Sequence, residues 1–427
     1  MATSIGGALD IVERGVNPEG VAKQTSREKP AAAVVDGAIA RAADALASGG
    51  LVLIPTDTLP GLAAVWSLPA GLAALKRAAA ALGDAGAAAA SPLAAWHAAD
   101  GSVVREVLMM GGAGAGNAGL PLAPLHGHAI DKLFPGPVTL RIERPERELA
   151  ALRAMLGVPA GLIDDGAALF VRVPGHAGCR RLLGSLSPAE AAGTGMAVYV
   201  AAIAVRSGRD GGAATTMSEA ADALAASKVE HVVLEAGVER GAGRMGGVVS
   251  TLVTLTAGGG WALTREGALA RREVEQRMRR TVLFVCTGNT CRSPMAQAIA
   301  KGLAEQLILK IPTVFESAGT SGADGGGYSV ETRHAVAALG LVEPRGTARG
   351  VTAAMIEAAD LIYAMTAGHR RALLAVSPEA AGKVRLLDPA GKDIADPVGG
   401  PQTLYDSVAA NMKVMLARRL EELEGTG

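Results

Sequence analysis

Cysteine is nearly absent, with 3 in 427 residues. That is too few for a disulfide framework, so folding must rest on buried apolar area. Aromatic residues make up only 3% of a chain that is 49% hydrophobic, so its cores are mostly aliphatic. Neither sign of charge is in excess, with 41 basic and 41 acidic side chains. A neutral chain has no bulk electrostatic footprint for nucleic acid, although a local basic pocket stays open. No apolar run reaches the roughly 20 residues of a membrane span. The opening MATSIGGALDIVERG lacks a basic start and an apolar core, so no secretory signal is expected. These absences predict a soluble cytoplasmic protein, and the length predicts two or three domains.

The most informative stretch present is Val282–Ala296, VLFVCTGNTCRSPMA. Val282 to Val285 is apolar and β-prone, which predicts a buried strand. Ser293-Pro294 predicts a helix start, with Ser293 as N-cap and Pro294 as its first residue. Between them lie Cys286, Thr287, Gly288, Asn289, Thr290, Cys291 and Arg292. A loop entering a helix N-terminus turns backbone N–H groups toward one point, which suits a phosphate dianion. Gly288 would let the backbone approach closely. Arg292 can fork two N–H groups onto phosphate oxygens. The same positive surroundings favour a thiolate at Cys286, a nucleophile aimed at phosphorus. The competing reading is a buried structural cysteine. Strand, glycine, arginine and Ser-Pro together count against it.

This stretch resembles the active-site loop of the low-molecular-weight phosphotyrosine phosphatase family. The family's second signature, an Asp-Pro near the C-terminus, is matched by Ile394–Gly400, IADPVGG. Ser317–Thr320 and Asp360–Thr366 are similar to family segments in the same order. The resemblance runs from Thr281 to the C-terminus. It implies a doubly wound α/β domain with a parallel sheet, a phosphorylated protein as substrate, and no metal or organic cofactor. It further implies that Cys286 attacks to form a cysteinyl-phosphate. Arg292 and the N–H groups of Thr287, Gly288, Asn289, Thr290, Cys291 and Arg292 itself would hold the phosphoryl oxygens. Asp396 would be the general acid and then the base. Asn289, Ser293 and Ser317 would keep the loop in shape. Tyrosine phosphatases of the family typically carry isoleucine where Thr290 stands. Thr290 resembles the protein-arginine-phosphatase branch, so phosphoarginine is expected ahead of phosphotyrosine. Cys291 lies close enough along the loop for a reversible disulfide with Cys286.

Ahead of this region, residues 1–30 are polar and irregular. A helix is expected over Ala31–Ser48, stopped by Gly49-Gly50. The strand Leu51–Ile54 runs into PTDTLPGL (Pro55–Leu62), whose hydroxyls and carboxylate at a strand end suit either a ligand site or a capped turn. Leu72–Leu82 reads as a helix carrying Lys76 and Arg77. Ala78–Ala90 and Gly111–Gly116 are low-complexity Ala/Gly segments. Further strands are expected at Leu169–Val173, Ala197–Val205, Val232–Glu235, Val248–Leu255 and Trp261–Thr264. Cys179 is expected in the core. His97, His126, His128 and His176 lack metal-ligand spacing, and His126 and His128 are expected in a solvated, proline-rich loop. Leu269–Arg280, LARREVEQRMRR, is a charged helical segment that marks a domain boundary.

In this order the pieces resemble the threonylcarbamoyl-AMP synthase (YrdC-like) family. The matching segments are Pro55–Thr58, Lys76-Arg77, Pro135–Thr139, Arg172–Pro174, Ser250-Thr251 and Arg265–Gly267. The family makes threonylcarbamoyl-adenylate from threonine, bicarbonate and ATP for tRNA modification. The resemblance implies a twisted α/β domain and a nucleotide or threonine site built from Thr58, Lys76, Arg77, Ser250, Thr251 and Arg265. This chain departs from the pattern. Pro60 replaces an aromatic residue. Lys76 and Arg77 adjoin, so on a helix they point about 100° apart. Ile203 and Val205, upstream of Ser207-Gly208, stand where polar nucleotide ligands are expected, and hydrocarbon cannot hydrogen-bond. An impaired synthase is therefore expected, with an active synthase or a nucleotide- or RNA-binding module as alternatives. The expected partition is an irregular segment 1–30, a YrdC-like domain 31–270, a charged linker 271–280 and a phosphatase domain 281–427.

Overall fold

A computed structural model describes residues 32–83, 92–110, 122–186, 199–206, 212–234, 246–322 and 324–425. Residues 1–30, most of the Ala/Gly-rich segments and Ser207-Gly208 lie outside the described residues.

The described residues form thirteen strands in two sheets. β1 (Val52–Ile54), β2 (Gly61–Val65), β3 (Ala95–His97), β4 (Val138–Glu143), β5 (Ala168–Arg172), β6 (Val200–Ala204), β7 (Val232–Val233), β8 (Thr251–Leu255) and β9 (Trp261–Arg265) make one mixed sheet. Its order is β7-β1-β2-β6-β3-β5-β4-β8-β9. β10 (Arg280–Cys286), β11 (Thr313–Gly319), β12 (Leu361–Ala364) and β13 (Val384–Leu386) make a second sheet, ordered β11-β10-β12-β13 and parallel throughout.

The second sheet explains where its loop sits. β10 is apolar on both faces because helices cover both faces, as a parallel sheet requires. Val282, Phe284 and Cys286 point to one side, against the helices Arg292–Ala304 and Gln402–Gly425. Leu283 and Val285 point to the other, against Ile356 and Leu373 of the helices Ala353–Ala358 and Ala367–Val376. Strand order reverses between β10 and β12, and such a switch point opens a crevice beyond the carboxyl ends of the strands. Cys286, the last residue of β10, stands at that crevice.

In the first sheet the expected helix through Lys76 and Arg77 spans Pro69–Ala81, with proline in its first turn where a missing N–H costs nothing. Cys179 is fully buried beside Leu46 and Val65, as expected. The charged segment forms the helix Arg271–Arg277, which buries Val274 and leaves Arg271, Arg272 and Arg277 in solvent. His126 and His128 depart from expectation. Both lie on the helix Pro124–Leu133, which the nearby prolines had masked. His126 is buried, with Nε2 3.2 Å from the Gly260 carbonyl oxygen. His128 is half-buried, with Nε2 3.1 Å from the Arg277 carbonyl oxygen. Burial pushes both imidazoles below their ordinary pKa. The same helix reaches the second sheet through the Lys132–Asp360 ion pair, where Asp360 also accepts the Thr281 N–H (2.7 Å).

Candidate phosphate-loop site and the N-terminal cavity

The loop after β10 is bent around one sulfur. Asn289 adopts φ +56°, a left-handed conformation that asparagine tolerates better than most side chains. The turn brings the Asn289 N–H onto Cys286 Sγ at 3.3 Å. The Asn289 side chain then locks the turn: Oδ1 accepts the Arg349 N–H (3.0 Å) and Nδ2 donates to Ser293 Oγ (2.9 Å). Ser293 Oγ lies 2.9 Å from Cys286 Sγ and 3.2 Å from the Ala318 carbonyl oxygen. Its one hydrogen can serve either, so it can turn to the sulfur when that sulfur is charged.

Ser293 does this from inside the helix. The helix starts at Arg292 with Cys291 as its N-cap, two positions earlier than the Ser-Pro signal suggested. The physical reason is that the Ser293 hydroxyl is committed to Cys286, Asn289 and Ala318, leaving none for capping. The Ser317 hydroxyl donates to Gln297 Oε1 (2.7 Å), tying β11 to the helix, and its carbonyl oxygen accepts the Nε–H of Arg349 (2.9 Å), the residue whose backbone N–H holds Asn289. Gly288 is not the tight spot, since a Cβ there would meet Thr290 Oγ1 at an ordinary 3.5 Å. The close approach is at Gly319, where a Cβ would fall 2.4 Å from the Thr287 carbonyl oxygen. All three cysteines are free thiols, and Cys291 Sγ lies 3.6 Å from both Ser329 Oγ and Tyr405 OH.

Arg292 is buried, with Nη1 donating to the Ile394 carbonyl oxygen (3.2 Å) and Nη2 paired with Asp396. The Asp396 side chain is 48% exposed, so its carboxylate can leave the arginine without being stranded in apolar surroundings. Thr287 and Thr290 sit at the open rim. His369 escaped sequence reasoning. It is buried, its Nε2 lies 2.8 Å from Thr287 Oγ1, and its pKa is held below the ordinary value by burial and by Arg292. Sequence offers only the string Thr366-Ala-Gly-His369, an N-cap threonine three residues before a histidine. A sulfur that accepts a backbone N–H at the end of a strand, in a loop that also carries a buried guanidinium paired with a half-exposed carboxylate, can hold an oxyanion and attack it.

In the first sheet a cavity of about 460 Å³ opens beside β6, β3, β5 and β8. It brings together Thr58, Ser250 and Arg265 of the expected residues, with Thr56, His97, Thr139 and Arg172. Thr139 Oγ1 lies 2.9 Å from Ser250 Oγ, and Arg265 donates to the Ser250 carbonyl oxygen (3.0 Å). Arg172 is ion-paired with Asp57. Lys76 and Arg77 do not line the cavity; both side chains are exposed on their helix. Thr251 is turned away as well, since it neighbours Ser250 and the strand flips alternate side chains. Its buried hydroxyl donates to the Leu269 carbonyl oxygen and accepts the Leu269 N–H, both at 2.8 Å. Ile203 lines the cavity, whereas Val205 is buried elsewhere.

Residues 281–426 match the family of low molecular weight phosphotyrosine protein phosphatases. A protein-arginine-phosphatase from Geobacillus stearothermophilus is 33% identical over 148 residues, covering 34% of this chain and 95% of the relative. A low molecular weight protein-tyrosine-phosphatase from Streptomyces coelicolor is 37% identical over 158 residues, covering 34% of this chain and 96% of the relative. A solved arginine phosphatase structure from Geobacillus stearothermophilus is 33% identical, covers 34% of this chain and 94% of its own, and superposes with a TM-score of 0.32. Through residues 281–426, the chain belongs to the low molecular weight phosphotyrosine protein phosphatase family. No described helix is long and apolar enough to cross a membrane.

Proposed function

We propose that residues 281–427 hydrolyse phosphorylated protein side chains through a cysteinyl-phosphate, with phosphoarginine preferred to phosphotyrosine. The observation that carries the reading is the Cys286 sulfur, hydrogen-bonded by Asn289 N–H and facing Ser293 Oγ, with Arg292 and Asp396 beside it. Cys286 attacks phosphorus, Sγ–P forms and the bond to the leaving atom breaks. Arg292 and the loop N–H groups of Thr287 to Arg292 take the developing charge on the phosphoryl oxygens, a task that needs no metal. The incoming oxyanion replaces Asp396 on Arg292. Asp396, freed, takes up the proton that Cys286 gives up on becoming a thiolate, passes it to the leaving group and then deprotonates the water that cleaves Sγ–P. Water returns the sulfur and releases phosphate. Thr290 at the rim supports the phosphoarginine preference, since a small polar side chain leaves room for a guanidinium and can hydrogen-bond the attacking water.

The test is steady-state hydrolysis of phosphoarginine and phosphotyrosine peptides by the full chain. Wild type should prefer phosphoarginine, and Thr290→Ile should move the preference toward phosphotyrosine by roughly 10- to 200-fold, the range one apolar contact gives. A wild type that prefers phosphotyrosine, or an indifferent Thr290→Ile, would remove Thr290 as the selector.

For the first sheet we propose a YrdC-like domain over 31–270, joined by the linker 271–280 to the phosphatase, whose cavity binds a nucleotide or similar anion without efficient synthesis. The cavity presents Arg172 and Arg265 with the four hydroxyls of Thr56, Thr58, Thr139 and Ser250, and it lacks Lys76 and Arg77. Pyrophosphate release from ATP with threonine and bicarbonate should be absent or weak while nucleotide still binds. Brisk release would restore the synthase.

A further inference from the structure

The link between the loop and the helix Ala367–Val376 plays no part in the chemistry above. Thr287 follows the nucleophile directly and is gripped from two sides. Its carbonyl accepts the Ser321 N–H (2.9 Å), and its hydroxyl lies 2.8 Å from His369 Nε2. The imidazole is pinned in turn, with Nδ1 3.0 Å from Oγ1 of Thr366, the N-cap of that helix. The same Oγ1 accepts the His369 backbone N–H (3.2 Å). With that lone pair used, the Thr366 hydrogen is free to point at Nδ1. The ring hydrogen then sits on Nε2 and faces Thr287. Burial and the nearby Arg292 keep the ring neutral at pH 7 against the opposing pull of Asp396 and Asp393.

The same helix start also holds the segment that carries Asp396. Asp393 Oδ1 accepts the Ala367 N–H (2.7 Å), and Met365 offers its carbonyl oxygen to the Ile394 N–H (2.8 Å). One short stretch, Met365–His369, therefore touches both the beginning of the cradle and the approach to Asp396. On the opposite flank the loop is held by Arg349 N–H on Asn289.

We propose that His369 is a positioning residue for phosphoryl transfer: as the Nε2–H tautomer it fixes Thr287 and sets the first N–H of the cradle in register with the segment bearing Asp396. The proposal rests on the phosphatase reading of the loop. A contact of this kind acts on the geometry of the transition state, so it should appear in kcat more than in KM.

The experiment compares the full-length wild type with His369→Ala, His369→Gln, Thr287→Val and the double variant His369→Ala/Thr287→Val on p-nitrophenyl phosphate. Melting temperatures and the imidazole ¹⁵N shifts are recorded alongside. His369→Ala and Thr287→Val should each lower kcat about tenfold, the worth of one hydrogen bond, with KM nearly unchanged. The double variant should be no worse than the worse single, because both remove one interaction. His369→Gln, which keeps an N–H donor, should recover most of the rate, and the wild-type shifts should report the Nε2–H tautomer. Rates within twofold of wild type, losses that multiply in the double variant, or an Nδ1–H tautomer would each overturn the proposal. If His369→Ala does not fold, Thr287→Val and His369→Gln decide alone. A wild type inert toward p-nitrophenyl phosphate would instead bring down the phosphatase reading itself.

Discussion

Both halves of the molecule carry an arginine ion-paired with an aspartate near strand ends, and the two pairs differ in burial. In Arg172–Asp57 the side chains are 8% and 8% exposed; in Arg292–Asp396 they are 5% and 48%. Separating a buried pair leaves a charge without compensation, whereas a half-exposed carboxylate finds water as it leaves. Under the proposed mechanism, the Arg292 pair can exchange its carboxylate for an incoming oxyanion. The Arg172 pair is built to stay and to shape the cavity beside it. An arginine–aspartate contact alone says little about function; the solvent exposure of the carboxylate separates a working pair from a framing one.

The sharpest way to break this comparison is to neutralise each aspartate. Asp396→Asn should lower kcat by about 10²- to 10⁴-fold, the usual worth of a general acid. The loss should be smaller for p-nitrophenyl phosphate, whose leaving group hardly needs a proton, than for a substrate with a basic leaving group. Stability should change little. Equal losses on both substrates would argue against acid catalysis by Asp396. Asp57→Asn should do the reverse, costing about 3–5 kcal/mol of stability by denaturant titration and leaving phosphatase kcat intact in the folded fraction. A cost below about 1 kcal/mol would mean that the Arg172 pair is as loose as its counterpart.

The smallest effect concerns His97, which lines the same cavity. Burial, helped by Arg172, pushes its pKa down to about 3. The native ring stays neutral while the unfolded ring takes a proton below its ordinary value of 6.5. Stability contributed at neutral pH is thus lost as pH falls from 6.5 toward 3. Between pH 6.5 and 5 the loss from this one group is about 2 kcal/mol. Urea midpoints at the two pH values should show it in wild type and show less of it in His97→Gln. Identical pH slopes would place His97 in a wetter setting.

The two halves also differ in how far sequence foretold them. The phosphate loop is one contiguous string, so backbone geometry converts spacing directly into a site, and Cys286, Asn289, Ser293 and Arg292 meet as spacing implies. Asp396 arrives from afar but carries its own Asp-Pro mark. The cavity is assembled from separate strand ends, and there spacing is blind to direction. Ser250 and Thr251 are neighbours in sequence and face opposite sides of a sheet. Lys76 and Arg77 lie on a helix whose exposed face was not readable from composition. His369 was missed because its meaning depends on a contact across 82 residues. Gly319 was missed because its need for a bare Cα comes from Thr287, on the neighbouring strand's loop.

The central claim is that Cys286 carries the phosphoryl group during turnover. The direct measurement is to mix the full chain with a phosphoarginine peptide, denature within the first turnover and map the protein by mass spectrometry. A phosphoryl group on Cys286 in wild type, and none in an inactive Cys286→Ser chain, is the result predicted here. Turnover with Cys286 unmodified, or persisting in Cys286→Ser, would contradict the account.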